Sequence, residues 1–294
     1  MTKRIALVTA TAARDLDEDL PPLAAAFAAA GATAEIVAWD DGSVDWSPYR
    51  LALLRSTWDY TERVAEFLAF CERVAGATLL LNPVPVVRWN TDKHYLGELA
   101  QAGVSVVPSF FIEPGSSPER MPDHAEFVVK PAIGAGSRDA QRYVSGERAL
   151  ALRHARRLLD AGRSVLVQPY LDSVDDHGET ALVFFEGRYS HAIRKGPLLR
   201  RGEGPTEGLF AVEEITPRTP STAERELAER ALAAMPFGSP LLYARVDLIH
   251  DGSGRPRVLE LELTEPSLFF AHAPGSADRF AAAALGRGTG ARSG

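Results

Sequence analysis

A chain of 294 residues, 46% apolar and 24% charged, is long enough to bury a substantial core as one large domain or two to three small ones. A net charge of −7, with Lys and Arg spread along the chain, excludes the basic stripe that neutralises a nucleic-acid backbone, and no apolar run approaches the roughly 20 residues of a membrane span. The expected protein is globular with no nucleic-acid or membrane partner, and the lone Cys71 together with a start that lacks a signal-peptide core places it in a reducing cytoplasm.

The first 90 residues alternate short apolar runs with helical patterns: strands at 4–9, 34–38, 51–55 and 78–81, helices at 20–30 and 64–74. That alternation predicts βαβ units around a parallel sheet. Pro21 and Pro22 sit near the first helix start and Gly31 at its end. Asn82-Pro83 and Pro85 break the pattern, which sets a boundary near residue 88. The next helix is predicted at 92–102, capped by Asn90 or Thr91 and stopped by Gly103. Strand-like runs at 127–130, 165–168, 181–185, 241–250 and 257–263, with helices at 147–161 and 222–234, then predict an α+β arrangement with antiparallel hairpins. The Gly/Arg/Ser-rich residues 286–294 read as a flexible tail.

Three local patterns carry chemistry. The strand ending at Lys130 runs into Pro131-Ala132-Ile133-Gly134-Ala135-Gly136-Ser137-Arg138, whose small residues let backbone N–H groups approach an anion; a glycine hairpin beside a surface lysine is the plain alternative. Lys93, placed in the first turn of its predicted helix, opposes the helix dipole and so suggests a counter-charge for an anionic ligand, against a solvated lysine beside Asp92. In Leu259-Glu260-Leu261-Glu262-Leu263 the strand period sends both glutamates to one face. If Asp251 pairs with Pro256 across the turn, Asp247 falls opposite Glu260, and three carboxylates share a patch that Mg²⁺ would neutralise. The alternative is an exposed hairpin face with Arg245 as partner.

Taken in order, Lys93, Lys130 with its glycine loop, Gln168-Pro169-Tyr170-Leu171, Glu179, Arg194, Asp247 and the Glu260/Glu262 pair resemble the ATP-grasp superfamily across residues 89–270. The strings Arg55-Ser56-Thr57-Trp58-Asp59-Tyr60, Trp89-Asn90-Thr91-Asp92-Lys93 and Ser190-His191-Ala192-Ile193-Arg194-Lys195 resemble the branch that forms D-cycloserine by cyclising O-ureido-D-serine. The resemblance implies a pre-ATP-grasp domain at 1–88 and an ATP-grasp domain at 89–285 with a mobile lid at about 110–170. It implies ATP and Mg²⁺, and a small-molecule carboxylate substrate activated as an acyl phosphate; a homo-oligomer stays open. ATP would be held by Lys93, Lys130, Gly134, Gly136, Ser137, the Gln168, Pro169, Tyr170 and Leu171 backbone at adenine, and Glu179 at the ribose. Asp247, Glu260 and Glu262 would carry the metal, Arg194 and Lys130 would assist phosphoryl transfer, and Arg55, Trp58, Tyr60 and Ser267 would face substrate. Glu262 departs from the asparagine common in the family, and Ser267 stands where glycine is often seen. An intermolecular ligase making a dipeptide or amide, and a nucleotide-binding regulatory module without catalysis, are the competing readings.

Overall fold

The computed structural model describes residues 3–202, 204, 214–238 and 240–290. Three sheets follow one another along the chain. The first, in the order β2-β1-β3-β4, is parallel and built from β1 (Lys3–Thr9), β2 (Ala32–Ala38), β3 (Leu51–Ser56) and β4 (Leu79–Leu81). Its crossover helices α1 (Leu20–Ala29) and α2 (Val64–Ala77) cover opposite faces, as the alternation of strands and helices predicts. Pro21 and Pro22 occupy the first turn of α1, and Gly31 leaves it at φ +74°.

The prolines at 83 and 85 do not break the chain into a linker. They open a further helix, α3 (Val84–Asn90), because a proline in the first turn removes an N–H that has no helical partner anyway. The expected cap at Asn90 or Thr91 is therefore wrong: Asn90 is the last residue of α3, and α4 (Tyr95–Gln101) begins after a turn through Asp92 and Lys93.

Residues from 110 onward form a small sheet in the order β5-β8-β6-β7, from β5 (Phe110–Ile112), β6 (Glu126–Pro131), β7 (Gln141–Val144) and β8 (Val165–Pro169). Helix α5 (Arg148–Asp160) packs on it through Ala151, Ala155, Leu158 and Leu159. After a single turn, α6 (Ser173–Asp176), the central antiparallel sheet runs β11-β10-β9-β12-β13. Its strands are β9 (Glu179–Phe185), β10 (Arg188–Lys195), β11 (Ile215–Arg218), β12 (Tyr243–His250) and β13 (Pro256–Glu262). Helix α7 (Thr222–Ala233) lies against it, held at its start by a Ser221–Glu224 capping box. Helix α8 (Ser276–Gly290) returns to pack Phe280, Ala281 and Ala284 into the core between α1 and β9, so helix runs into the segment read as a tail; residues 291–294 lie outside the described residues. Among the described residues no helix is long and apolar enough to cross a membrane.

The first and central sheets are joined by buried polar side chains. The Asn82 amide donates to the carbonyls of Tyr243 (2.9 Å) and Leu263 (2.8 Å) and accepts from the Leu242 N–H (3.1 Å). The Tyr243 hydroxyl lies 2.8 Å from the Thr264 carbonyl and 3.2 Å from those of Leu54 and Leu81. Replacing Asn82 with Ala strands several fully buried backbone groups at once, and each unsatisfied group costs about 1–3 kcal/mol. Asn82→Ala is expected to lower the unfolding free energy by about 2–4 kcal/mol, read from the urea midpoint at unchanged slope.

Candidate active site

The site is laid out by the β12–β13 hairpin. Asp247 stands opposite Glu260 and Arg245 opposite Glu262, so all four side chains share one face, while Leu261 and Leu263 are buried on the other. The predicted partnership of Asp247 with Glu260 holds, but its route does not. The turn pairs His250 with Pro256, not Asp251 with Pro256, and a bulge between Asp247 and Leu248 supplies the missing residue. Asp251 instead organises the turn, accepting from the N–H groups of Ser253 (2.9 Å) and Arg255 (3.1 Å).

The three carboxylates have protein cations beside them. Arg245 forks onto Asp247 at 2.8 and 2.9 Å, also contacts Glu262, and donates to the Ser267 carbonyl at 2.9 Å. Lys195, at the end of β10, reaches Asp247 at 3.1 Å and Glu179 at 3.2 Å. Lys93 reaches Glu260 at 2.9 Å and donates to the Gly134 carbonyl at 2.7 Å. Burial would raise the Asp247 carboxyl, but Arg245 and Lys195 hold it down at about 2. Burial also opposes ionisation of Glu260, and Lys93 and Lys130 more than offset it. Glu262 is pushed up to about 7 by burial, with Arg245 working against the repulsion of Asp247 and Glu260. Lys130 points into the same space; burial and nearby Lys93 lower its pKa, while Glu260 pulls the other way.

One cleft takes in most of the predicted residues. Lys93, Lys130, Gly134, Gly136 and Ser137 line one wall, with Gly136 and Ser137 both at φ +59°. Gln168, Pro169, Tyr170 and Leu171 line the next, beside an apolar patch of Val107, Val128, Val174, Ile249 and Leu259. Within that segment the Gln168 side chain is turned to Ser109 (3.0 Å) and the Tyr170 N–H to the Glu126 carbonyl (2.9 Å). Glu179, Glu260 and Glu262 line the floor, where Asp247 is buried beneath them, and Trp58, Tyr60 and Ser267 close the far end.

Besides the buried Asp247, two predicted residues do not line the cleft. Arg194 alternates with Lys195 along β10, so when Lys195 faces the carboxylates Arg194 faces away; its guanidinium donates to the His177 carbonyl at 3.0 Å. Arg55 is 1% exposed and serves as a strut, donating to the Pro266 carbonyl at 2.6 Å with Asp19 at 3.7 Å. Sequence reasoning undervalued Lys195 and Arg245. The two-residue turn Glu186-Gly187, with φ +51° and +74°, pairs Phe185 with Arg188 and by itself would bring Arg194 opposite Glu179; a bulge between Tyr189 and His191 shifts the β9–β10 register by one and sets Lys195 there instead. Glu265 was also missed: it accepts from Tyr60, and burial and repulsion from Glu262 push its carboxyl up to about 8.

Lys93 is also not in a helix. It precedes α4 and is 6% exposed, so the dipole argument, under which its loss costs no stability, fails. Lys93→Met should destabilise the apo protein by about 1–3 kcal/mol, less than for a fully buried pair because Glu260 is partly exposed and Lys130 is near; thermal unfolding against wild type measures it. Glu265 gives a pH signature. Its folded pKa is raised, so the unfolded chain releases this proton first and stability falls as pH rises from about 4.5 to about 8, by roughly 1.4 kcal/mol per unit from this group. Glu265→Gln is expected to flatten the apo protein's stability loss in that window, measured by urea titrations at stepped pH.

Comparison with known proteins identifies the fold and the family. A family model described as the D-cycloserine synthetase DcsG N-terminal domain matches residues 5–82. The cycloserine biosynthesis protein DcsG of Streptomyces lavendulae is 45% identical over 294 residues, covering 95% of this chain and 97% of that protein. The crystal structure of D-cycloserine synthetase DcsG matches with a TM-score of 0.90 at 44% identity, over 97% of this chain and 99% of that one. A D-alanine–D-alanine ligase from Bacillus anthracis shares the fold, with a TM-score of 0.63 at 13% identity over 98% of both chains. Identity at this level over nearly the whole length, on the same fold, means that the chain belongs to the family of ATP-grasp ligases that contains DcsG.

Proposed function

We propose that this ligase closes O-ureido-D-serine into D-cycloserine through an acyl phosphate, using ATP and Mg²⁺. The observation that carries the reading is the single cleft in which Lys93, Lys130 and the 134–137 loop stand beside the carboxylates of Glu179, Glu260 and Glu262. The 45% identity to a cycloserine biosynthesis protein supports the choice of substrate.

Lys93 and Lys130 would align the nucleotide phosphates, the apolar patch beside Gln168, Pro169, Tyr170 and Leu171 would take adenine, and Glu179 would accept from the ribose hydroxyls. The sheet bearing the 134–137 loop would act as the lid of an ATP-grasp domain that follows an N-terminal domain ending near residue 88. Mg²⁺ wants oxygen ligands and uses one or two carboxylates plus phosphate oxygens, a demand that Glu260 and Glu262 with Asp247 behind them fit. When bound, it would neutralise phosphate charge. Lys195 is the cation on the carboxylate face that the reading had given to Arg194.

The substrate carboxylate would take the γ-phosphoryl group, making an acyl phosphate and ADP. The ureido nitrogen bonded to oxygen then attacks the acyl carbon, the C–N bond forms and phosphate leaves. One water cleaves the carbamoyl group, which departs as CO₂ and NH₃, so ATP, O-ureido-D-serine and water balance ADP, phosphate, D-cycloserine, CO₂ and NH₃. Trp58, Tyr60 and Ser267 would wall off water from the acyl phosphate until the ring closes.

Mass spectrometry of a reaction holding O-ureido-D-serine as the sole organic acid tests this. D-cycloserine and ADP are expected in equal amounts, with kcat/KM reduced about 100-fold or more in Lys130→Ala and Lys195→Met and far less in Arg194→Met. ADP formed only when a second amine is supplied would make the protein an intermolecular ligase. No ADP with any amino-acid-like carboxylate would make it a nucleotide-binding module.

A further inference from the structure

The central sheet has a second face. The alternation that turns Lys195, Glu179 and Asp247 into the cleft turns Thr180 and His250 the other way, toward α7. There, Glu224 in the first turn of α7 is 3% exposed. Its Oε2 accepts from the Ser221 N–H at 2.7 Å and the Thr180 hydroxyl faces the carboxylate, while its Oε1, which has no well-formed hydrogen bond, lies 3.4 Å from His250 Nε2 and 3.9 Å from His177 Nε2. The His177 Nε2 is likewise buried without a hydrogen-bond partner. Ligand atoms of the three residues all lie within 4.8 Å of one another.

We propose that His177, Glu224 and His250 form a binding site for a first-row divalent transition ion, Zn²⁺ foremost, on the sheet face opposite the cleft. Zn²⁺ bonds to imidazole nitrogen and carboxylate oxygen at about 2.0–2.2 Å, and tetrahedral angles then set neighbouring ligand atoms about 3.4 Å apart. The observed 3.4 and 3.9 Å are close to that spacing before any ion draws the ligands in. Two imidazoles and one carboxylate are a donor set for zinc and its neighbours, not for Mg²⁺, which selects oxygen.

The surroundings hold the ligands in place. Arg218 donates to Thr180 Oγ1 (2.8 Å) and to the His177 carbonyl (2.7 Å), and Arg194 donates to that same carbonyl. Ser173 donates to the His250 carbonyl at 2.5 Å. The side chains of His177 and His250 are 40% and 18% exposed, so the cluster lies close to the protein surface. An ion here would pin the turn at His177, two residues before Glu179 of the cleft, to both α7 and β12. Gly178 between them tolerates no side chain, since a Cβ would stand 2.5 Å from the Lys195 carbonyl, so the turn transmits position stiffly.

Co²⁺ serves as the probe, added to the chelator-stripped full chain in excess Mg²⁺, which occupies oxygen-only sites. One equivalent should bind with the visible d–d bands of a tetrahedral site and be displaced by Zn²⁺, and Zn²⁺ should raise the thermal midpoint. His177→Ala and His250→Asn should each weaken binding by at least about 10-fold, as loss of a direct ligand exceeds the roughly 10–100-fold cost of losing an outer-shell partner. His250→Asn keeps a polar side chain at a partly exposed position, and its far-UV circular dichroism verifies that it folds. Absence of the d–d bands in wild type, their persistence in folded His250→Asn, or a midpoint indifferent to Zn²⁺ would each overturn the site and leave a His250–Glu224 ion pair in its place.

Discussion

Charge neutrality at the floor of the cleft is the constraint on which the rest depends. Asp247 is 1% exposed, and a carboxylate at that depth persists as an ion only with cations in contact. Those cations, with Lys93 on Glu260, come from three separated segments: the turn before α4, the end of β10, and β12 itself. Satisfying one cluster of charge therefore fixes the turn, the sheet and the hairpin relative to one another. On the proposed function the arrangement would also be exchangeable. A polyphosphate offers the lysines a stronger anion and a divalent cation offers the carboxylates a stronger partner, so the resting ion pairs occupy positions that the ligands would take over with little rearrangement of backbone.

Much of the fold was legible because periodicity and burial agree. The parallel sheet of the first 81 residues follows from apolar strands alternating with helices, and the β6–β7 and β12–β13 hairpins follow from glycine-rich turns between alternating runs. What failed did so where a local rule has two outcomes. Pro83 and Pro85 can end an element or open one, and here they open α3. Strand β11 carries Pro217, which reads as a break but is tolerated at the edge of a sheet. The bulge that leaves Leu259 unpaired between the Asp247–Glu260 and Leu248–Val258 pairs cannot be read from alternation, since one extra residue leaves the pattern intact on each side of it. At the cleft, residue type identified the anionic and cationic groups, but which of Arg194 and Lys195 faces inward is a question of register. Arg55 looked like a surface ligand in a string of polar and aromatic residues; its long-range partners at Asp19 and Pro266 are invisible in the chain order.

The wall at the far end of the cleft illustrates how environment, not identity, sets a group's behaviour. Glu262 and Glu265 are three residues apart and both have raised carboxyl pKa values, yet Glu262 is partly exposed and meets Arg245 whereas Glu265 is buried against a tyrosine hydroxyl. Their carboxyls are therefore disposed to change protonation near neutrality for different reasons, and any ligand that brings a charge to this end of the cleft will move both.

The loop after β13 belongs by sequence to the second half of the chain, where Arg245 holds the Ser267 carbonyl, yet it is fastened just as firmly to the first. Asp19 accepts from the backbone N–H groups of Leu268 (2.5 Å), Phe269 (3.0 Å) and Phe270 (2.9 Å), Arg55 donates to Pro266, and Trp58 donates to the Glu265 carbonyl at 3.3 Å. A recombinant built by joining the first domain of one relative to the remainder of another at the linear boundary would cut through this fastening without breaking a covalent bond near it. Interchangeable parts in this architecture are thus not contiguous stretches of chain: residues 264–270 would have to travel with the N-terminal sheet, or the cleft would lose the wall that Ser267 and Phe269 provide.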